Sequence, residues 1–431
     1  MRPPHASLWR HREFLKYWAA SAISDVGSQI TTLALPLMAA VTLGASAWQM
    51  GVLSASGSAA TLLVGLFAGV CADRFRRRPI LIAADVGRAI LLATIPVAAL
   101  SGVLRIELLY VVALTAGTLT VLFDVAHLAY IPALVGREQL IDGNSKLETT
   151  WSVAQVAGPG IGGVLVSWLT APIAILVDAV SFLVSALCLA RIRTPEPPLV
   201  PADTRGVFHE IVEGLRVVFA HRLLRVLAGC SATTSFFGQM FLAVYVLYMT
   251  RDLGLAAMGV GLVLATGGVG SLVGSLVAGP ATRRFGPGRT MIAAQLGFGL
   301  TGLAVPLAVF VPAVALPLIV ASEFGQWMSI IVYYVNAVSV RQAVTPDRLQ
   351  GRVNATMRFL VGGAMPAGAL IGGALGGIIG VPMTLAVAEF GILLAVLWLV
   401  LSPVRALASM DMLTGTRDTT PDTSRTAEAT R

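Results

Sequence analysis

Long apolar runs separated by short polar breaks set the rhythm of this chain. A helix needs about 20 apolar residues to cross a hydrocarbon core. Twelve segments reach that length, at roughly residues 17–43, 48–72, 80–100, 108–134, 147–169, 172–191, 225–249, 257–281, 290–311, 313–339, 354–379 and 382–402. The pattern predicts an all-α integral membrane protein with twelve transmembrane helices. The first run is far longer than the 7–15-residue core of a cleaved leader, although "LGASA" at 43–47 superficially resembles a cleavage site.

The breaks repeat as well. "GVCADRFRRRP" at 69–79 is echoed by "GPATRRFGPGR" at 279–289, an offset of 210 that pairs Gly69 with Gly279, Arg74 with Arg284 and Phe75 with Phe285. The same offset pairs Gln29 with Gln239, Gly51 with Gly261, Asn144 with Asn354, Gly158 with Gly368, and Gly162-Gly163 with Gly372-Gly373. Each copy holds six runs, so two pseudo-symmetric six-helix bundles are expected, as parallel repeats about an axis along the membrane normal. The expected units are a bundle at 1–191, a Pro-rich cytoplasmic linker with an amphipathic helix at 192–222, a bundle at 223–402 and a disordered cytoplasmic tail at 403–431.

Composition agrees with the pattern. Of 431 residues 56% are hydrophobic and 12% charged, against about 25% charged in a typical soluble domain, and the mean hydropathy is +0.82. The net charge of +8 sits in the breaks with no aromatic interleaving, which argues against nucleic acid as a partner. Nearly all basic residues fall in breaks on one side and only Arg105 and Arg251 on the other, so the positive-inside rule places both termini in the cytoplasm of a multi-pass cell-membrane protein. Arginine fills 28 of 30 basic positions, a bias of GC-rich bacterial genomes. Cys71, Cys188 and Cys230 have no paired spacing, so neither a metal site nor a disulfide framework is expected. Five histidines form no cluster and neither Lys16 nor Lys146 sits in a phosphate loop, which argues against a membrane enzyme and an ATP-driven pump. No cofactor is implied.

With these motifs in place the chain resembles the major facilitator superfamily. Gly69, Asp73, Arg74, Arg77 and Arg78 look like that superfamily's loop motif between the second and third spans. The usual Gly before the last basic pair is Arg76 here, whereas the second copy keeps Gly286 and has Arg283 in place of the Asp. "AADVGRA" (83–89), "FDVAHLAYIPALV" (123–135), "GPGIGG" (158–163) and "VDAVSF" (177–182) are similar to the drug-to-proton antiporter branch that includes macrolide efflux proteins and enterobactin exporters. The resemblance implies a monomer that exports small molecules against protons across a bilayer by alternating access. Gly158, Pro159, Gly162 and Gly163 would then form the antiporter-like bend in span 5. Small residues also serve plain helix packing.

Ionisable residues inside a bilayer are functional candidates by default. Glu323 lies ten residues into span 10, roughly 15 Å from one face at 1.5 Å per residue, and leads the set, with Asp25 and Asp124 next. The resemblance puts spans 1, 4, 7 and 10 around a central cavity. Its expected lining adds Phe237 and Gln239 from span 7 and Gln326 and Trp327 from span 10. Arg88 is a further candidate, with pairing to Asp85 or Asp124 as the plainer reading. Asp178 and Glu389 sit in spans 6 and 12, where a structural bond to a neighbouring helix is expected. His127 reads as a packed, hydrogen-bonded histidine.

Two other readings stand beside export: uptake or facilitated diffusion of a small metabolite, and a non-transporting membrane scaffold or enzyme. The loop motif supplies a first prediction. Asp73 suits a contact with a helix N-terminus made only while the cytoplasmic side is closed. Asp73→Asn should therefore leave the protein inserted and abundant but slow its cycling, and normal transport at normal abundance would remove that latch.

Overall fold

The computed structural model describes residues 8–136, 139–194, 196 and 207–407, except the side chains of 66–74, 207–211 and 347. Those residues fold into helices α1 (Arg12–Leu37), α2 (Ala47–Arg74), α3 (Arg77–Leu100), α4 (Ile106–Val135), α5 (Leu140–Leu169), α6 (Ala171–Ala190), α7 (Val207–Ala220), α8 (Arg222–Leu247), α9 (Ala257–Phe285), α10 (Pro287–Gly302), α11 (Ala304–Leu307), α12 (Ala315–Val344), α13 (Asp347–Ile378), α14 (Val381–Leu394) and α15 (Val396–Val400). No strand occurs among the described residues.

Among those residues ten helices are long and apolar enough to cross a membrane, from α3 to α6 and from α8 onward, with α10 counted through Phe310, α12 from Pro312 and α14 through α15. The twelve expected spans include two more, 17–43 and 48–72. The physical reason for the first is plain: α1 carries Asp25, Gln29 and a run of Ser and Thr from Ser21 to Thr32, which dilute its apolar content. The end of α2 lies outside the described side chains.

The offset of 210 recurs in backbone conformation. π-Helical turns end α1 at Met38–Thr42 and α8 at Tyr248–Asp252. Each is followed by a left-handed glycine, Gly44 at φ 63° and Gly254 at φ 64°. Thr170, at φ 79°, is the positive-φ residue without glycine's freedom among the described residues, and its counterpart Gly380 adopts φ 84°. The two loop-motif copies differ instead. Gly286 turns at φ 80°, whereas Arg76 is extended at φ −60°, ψ 133°, a conformation any residue adopts.

α1 packs against α5 and α6, α3 against α4 and α6, and α2 against α4. In the same way α8 packs against α13 and α14, α10 against α12 and α14, and α9 against α12. The two sets meet along α2 with α13 and along α5 with α9. Both seams are backbone contacts. A Cβ on Gly373 would lie 2.7 Å from Gly51 Cα, and one on Gly163 would lie 3.1 Å from Gly261 Cα. Because Gly51 pairs with Gly261 and Gly163 with Gly373 under the offset, the second crossing repeats the first. Both lie toward the end of the molecule that holds Arg105 and Arg251. There Arg251 donates to the Ala45 carbonyl at 2.8 Å.

At the arginine-rich end the connections are tied by polar contacts. Glu196 accepts from the backbone N–H groups of Arg77 and Arg78 at 2.7 and 2.9 Å, capping α3. The Arg78 guanidinium donates to the carbonyls of Leu189 and Ala190 at the end of α6. The amphipathic helix expected at 208–222 is α7. It docks on α13 through Glu213 and Arg352 at 2.6 Å, with Gly214 against the Arg352 carbonyl. Of the segment expected to be a disordered tail, Pro403–Ala406 forms a 3-10 turn, and Leu407 accepts from Gly288 N–H at 3.2 Å. Residues 408–431 lie outside the described residues.

A side chain at either crossing must push two backbones apart. Gly373→Val is expected to destabilise by about 1–3 kcal/mol, the range for overpacking, and to lower the melting temperature of the purified protein. Gly377→Val, where a Cβ would meet nothing within 4 Å, should melt like the wild type.

Candidate functional site

The candidate residues do not share one cavity. A larger cavity of about 350 Å³ is lined by α1, α2, α3, α4 and α6, with Leu242 and Ala243 of α8 as its far wall. A smaller one of about 130 Å³ lies among α8, α10, α12 and α14. Leu242 lines both.

The larger cavity holds Arg88. Its guanidinium pairs with Asp85 one turn earlier and reaches Thr120 at 3.4 Å. The rings of Phe123 and Phe182 lie 4.6 and 4.1 Å from it, an arrangement that favours a cation over aromatic faces. Asp85 is fully buried and accepts from Ser185 at 2.6 Å. The pairing reading of Arg88 therefore holds for Asp85 and not for Asp124, which is exposed. Asp178, also on this cavity, accepts from Thr31 of α1 at 2.5 Å and from Ser181 at 3.0 Å, the structural bond expected of it.

Glu323 lies in the smaller cavity. Tyr245 of α8 donates to its Oε2 at 2.9 Å and Trp327 to its Oε1 at 2.8 Å. Hydrogen bonds of this kind hold a carboxyl in one rotamer. Gln326 donates to Ser322 at 3.1 Å. Two glycines clear the space: a Cβ on Gly267 would meet the Trp327 ring and Glu323, and one on Gly302 would meet the carboxyl of Glu389. Glu389 is fully buried, and among the described residues neither of its carboxyl oxygens has a hydrogen-bond partner. The structural bond expected for Glu389 is absent.

The remaining candidates lie elsewhere. Asp25 is half-buried on α1, and Asp124, Glu148 and Arg358 are exposed. Asp25 is within electrostatic reach of Asp124, Arg88 and Glu148, and Asp124 within that of Arg88 and Arg358, without an ion pair among them. A gap of about 270 Å³ between α2, α4 and α13, lined by Thr61, Asn354 and Arg358, opens near these groups. Gln239 donates to Ser54 at 2.7 Å, joining α8 to α2. Phe237 fills the space over Gly391. His127 accepts from or donates to the Tyr17 hydroxyl at 2.6 Å, as a packed histidine does. Gly158 and Gly162 press on α1 at Gln29 and Ile30, while Gly163 presses on α9. α5 runs as one helix through Pro159, so this string packs two neighbours at once. Arg77 and Arg78 sit in the ties at the start of α3; Gly69, Asp73 and Arg74 lie outside the described side chains. Sequence reasoning did not single out Tyr245, Glu148 or Arg358. Glu148 and Arg358 are 210 apart, a signal the repeat contained.

The two cavities are repeat equivalents. Subtracting 210 from the lining of the smaller turns Phe298, Glu323, Gln326, Trp327 and Ile392 into Arg88, Ala113, Ala116, Gly117 and Phe182, all of which line the larger. Where one copy has alanine and glycine, the other has a glutamate, an amide and an indole.

Comparison with known proteins places this geometry. The family model described as transmembrane secretion effector matches residues 4–429. The chain is 29% identical over 366 residues to the multidrug efflux pump Tap of Mycolicibacterium fortuitum, covering 83% of this chain and 87% of that one. It is 28% identical over 401 residues to the enterobactin exporter EntS of Salmonella typhimurium, covering 91% and 92%. Its fold is similar to a bacterial homologue of the iron transporter ferroportin in an inward-facing state, with a TM-score of 0.70 at 16% identity over 91% of this chain and 98% of that one. It is also similar to a bacterial homologue of the lysosomal transporter Spinster, with a TM-score of 0.65 at 14% identity over 94% and 98%. The chain belongs to the transmembrane secretion effector family of the major facilitator superfamily. It is a multi-pass membrane transporter and not an enzyme.

The Asp85–Arg88 pair gives a stability test. Removing one member of a buried pair strands the other charge and costs about 3–5 kcal/mol. Arg88→Met should therefore lower the melting temperature sharply, while Asp85→Asn combined with Arg88→Met should recover most of the loss.

Proposed function

We propose that the protein is a proton-coupled exporter of amphipathic small molecules such as an antibiotic, drug or siderophore, working by alternating access. Twelve spans form two six-helix bundles, residues 1–191 and 223–402, joined by the linker 192–222, with both termini cytoplasmic. The bundles rock about the seams α2/α13 and α5/α9. The substrate occupies the larger cavity, and a proton is taken up on Glu323 and released as the substrate leaves.

One observation carries this reading: a cavity of about 350 Å³, within the range of small-molecule sites, shares a wall with the pocket of a buried acid. Leu242 forms that wall, and Tyr245 on the same helix holds Glu323 at 2.9 Å. A ligand pressing on Leu242 thus acts on the helix that fixes the carboxyl. The walls of the larger cavity are mostly apolar, with Arg88 and Asp178 as polar anchors, which suits an amphipathic ligand. The relatives' names, a multidrug efflux pump and an enterobactin exporter, support the direction of transport.

A panel efflux assay in a pump-deficient bacterium tests the reading, comparing wild type with Glu323→Gln at matched membrane abundance, with and without an uncoupler. At least one amphipathic compound should be extruded in an uncoupler-sensitive way by the wild type. The variant should lose roughly tenfold or more of that rate. Extrusion unaffected by the uncoupler would remove proton coupling, and an equally active variant would remove Glu323.

A further inference from the structure

We infer that Glu389 and Glu323 together form a paired-carboxyl proton site in the smaller cavity, apart from the substrate. This rests on the coupled-transport reading above and names the group that completes its proton site.

Glu389 starts the inference because it lacks what buried charges need. A carboxylate in an apolar interior is stable only when paired, hydrogen-bonded or neutralised. Glu389 is fully buried on α14, yet both its oxygens are without partners among the described residues. The carboxyl lies on the cavity that also holds Glu323. The two acids sit at matching heights, each eight residues after the start of its helix, α12 at Ala315 and α14 at Val381.

The surroundings leave no cation to balance them. Facing the pair from α8 is the hydroxyl of Tyr245, which donates to Glu323; the next tyrosine on that helix, Tyr248, donates to the Val305 carbonyl at 2.7 Å. α9, α10, α11, α13 and α15 bring no titratable side chain to the cavity. Arg251, on the π turn after α8, is engaged with the Ala45 carbonyl. The charged group acting on Glu389 is Glu323 itself. Two carboxyls in one low-dielectric space cannot both be ionised without a bound cation, and they then titrate as a pair.

Size excludes the substrate. The cavity, about 130 Å³, falls below the usual volume of small-molecule sites and equals the liquid volume of about four waters. It admits water and a proton while the walls of Phe241, Phe298 and Trp327 exclude a drug-sized ligand. The space is also kept clear for these groups: any side chain at Gly302 would occupy the position of the Glu389 carboxyl, and one at Gly267 would collide with the Trp327 ring that holds Glu323. In the other copy the positions of Glu323 and Glu389 are Ala113 and Ala179, so the pair belongs to one half alone. Both carboxyls protonated is the loaded state, and loss of one proton leaves the other shared within the cavity. No other bond changes.

Trp327 reports on the site, because its indole N–H rests on Glu323. The test is a pH titration of tryptophan fluorescence on the full chain in nanodiscs, in choline chloride and again in sodium chloride, with Trp327→Phe to identify the signal. Wild type should titrate in two steps, Glu389→Gln in one, and Glu389→Asp in two. Gly302→Ala, which pushes on Glu389 from outside, should also disturb the second step. Size-exclusion profiles check that each variant is folded, and Glu389→Asp and Gly302→Ala decide the matter if Glu389→Gln is not. A Glu389→Gln curve superimposable on the wild type would overturn the pair. A midpoint moved by sodium at fixed ionic strength would overturn the proton as its cation. No substrate enters this titration, so its failure is separable from a failure of the efflux assay.

Discussion

Backbone contact between glycines is the constraint on which the remaining packing depends. Lipid chains are as apolar as leucine, so helices in a bilayer gain little by hiding apolar side chains from one another and associate through close packing. Gly51 with Gly373 and Gly163 with Gly261 bring α2 to α13 and α5 to α9 at the same end of the molecule. With that end fixed, α1 and α8 take equivalent places. Gly158 of α5 presses on Gln29 of α1, and its counterpart Gly368 of α13 presses on Phe236 of α8. Toward the other end a gap opens between α2, α4 and α13 beside Arg358 and Asn354.

Within this shared frame, side-chain volume makes two different sites from one architecture. Ala113, Ala116 and Gly117 on α4 leave a roomy cavity beside the Asp85–Arg88 ion pair. Glu323, Gln326 and Trp327 at the same places on α12 fill most of theirs and line the remainder with acid. The larger cavity thus carries an ion pair and the smaller one two carboxyls without a cation, with Leu242 between them.

Much of this was legible in the chain. Polar breaks marked the ends of α3 to α6 and of α8 onward because a charge cannot remain cheaply in hydrocarbon. The offset of 210 was legible as a repeat, and the π turns, the left-handed glycines and the glycine crossings follow it. α1, expected as the first span, falls outside the ten most apolar helices because Asp25, Gln29 and its Ser and Thr residues lower its mean hydropathy. The site was read less completely. Depth alone singled out Glu323, but whether Glu389 had a partner depends on which face of α14 meets α10, and on Gly302 leaving room there. Asp124 looked equivalent to Asp85 as a partner of Arg88. Three residues on one helix decided it, since Asp85 and Arg88 share a face one turn apart. The loop-motif Arg76 looked like a defect until its extended backbone removed the need for glycine.

The closed end has a property that its residues alone impose. Its crossings consist of Cα and carbonyl contacts, joined by the bond of Arg251 to a carbonyl, and no ion pair bridges it among the described residues. Contacts between uncharged backbones are indifferent to ionic strength, whereas pairs of exposed charges weaken as salt accumulates. At the opposite end Asp124 of α4 lies within electrostatic reach of Arg358 of α13 across a gap. The contacts at one end are therefore fixed by shape, while the charges that face one another across the gap at the other end are weakened by salt in the surrounding medium.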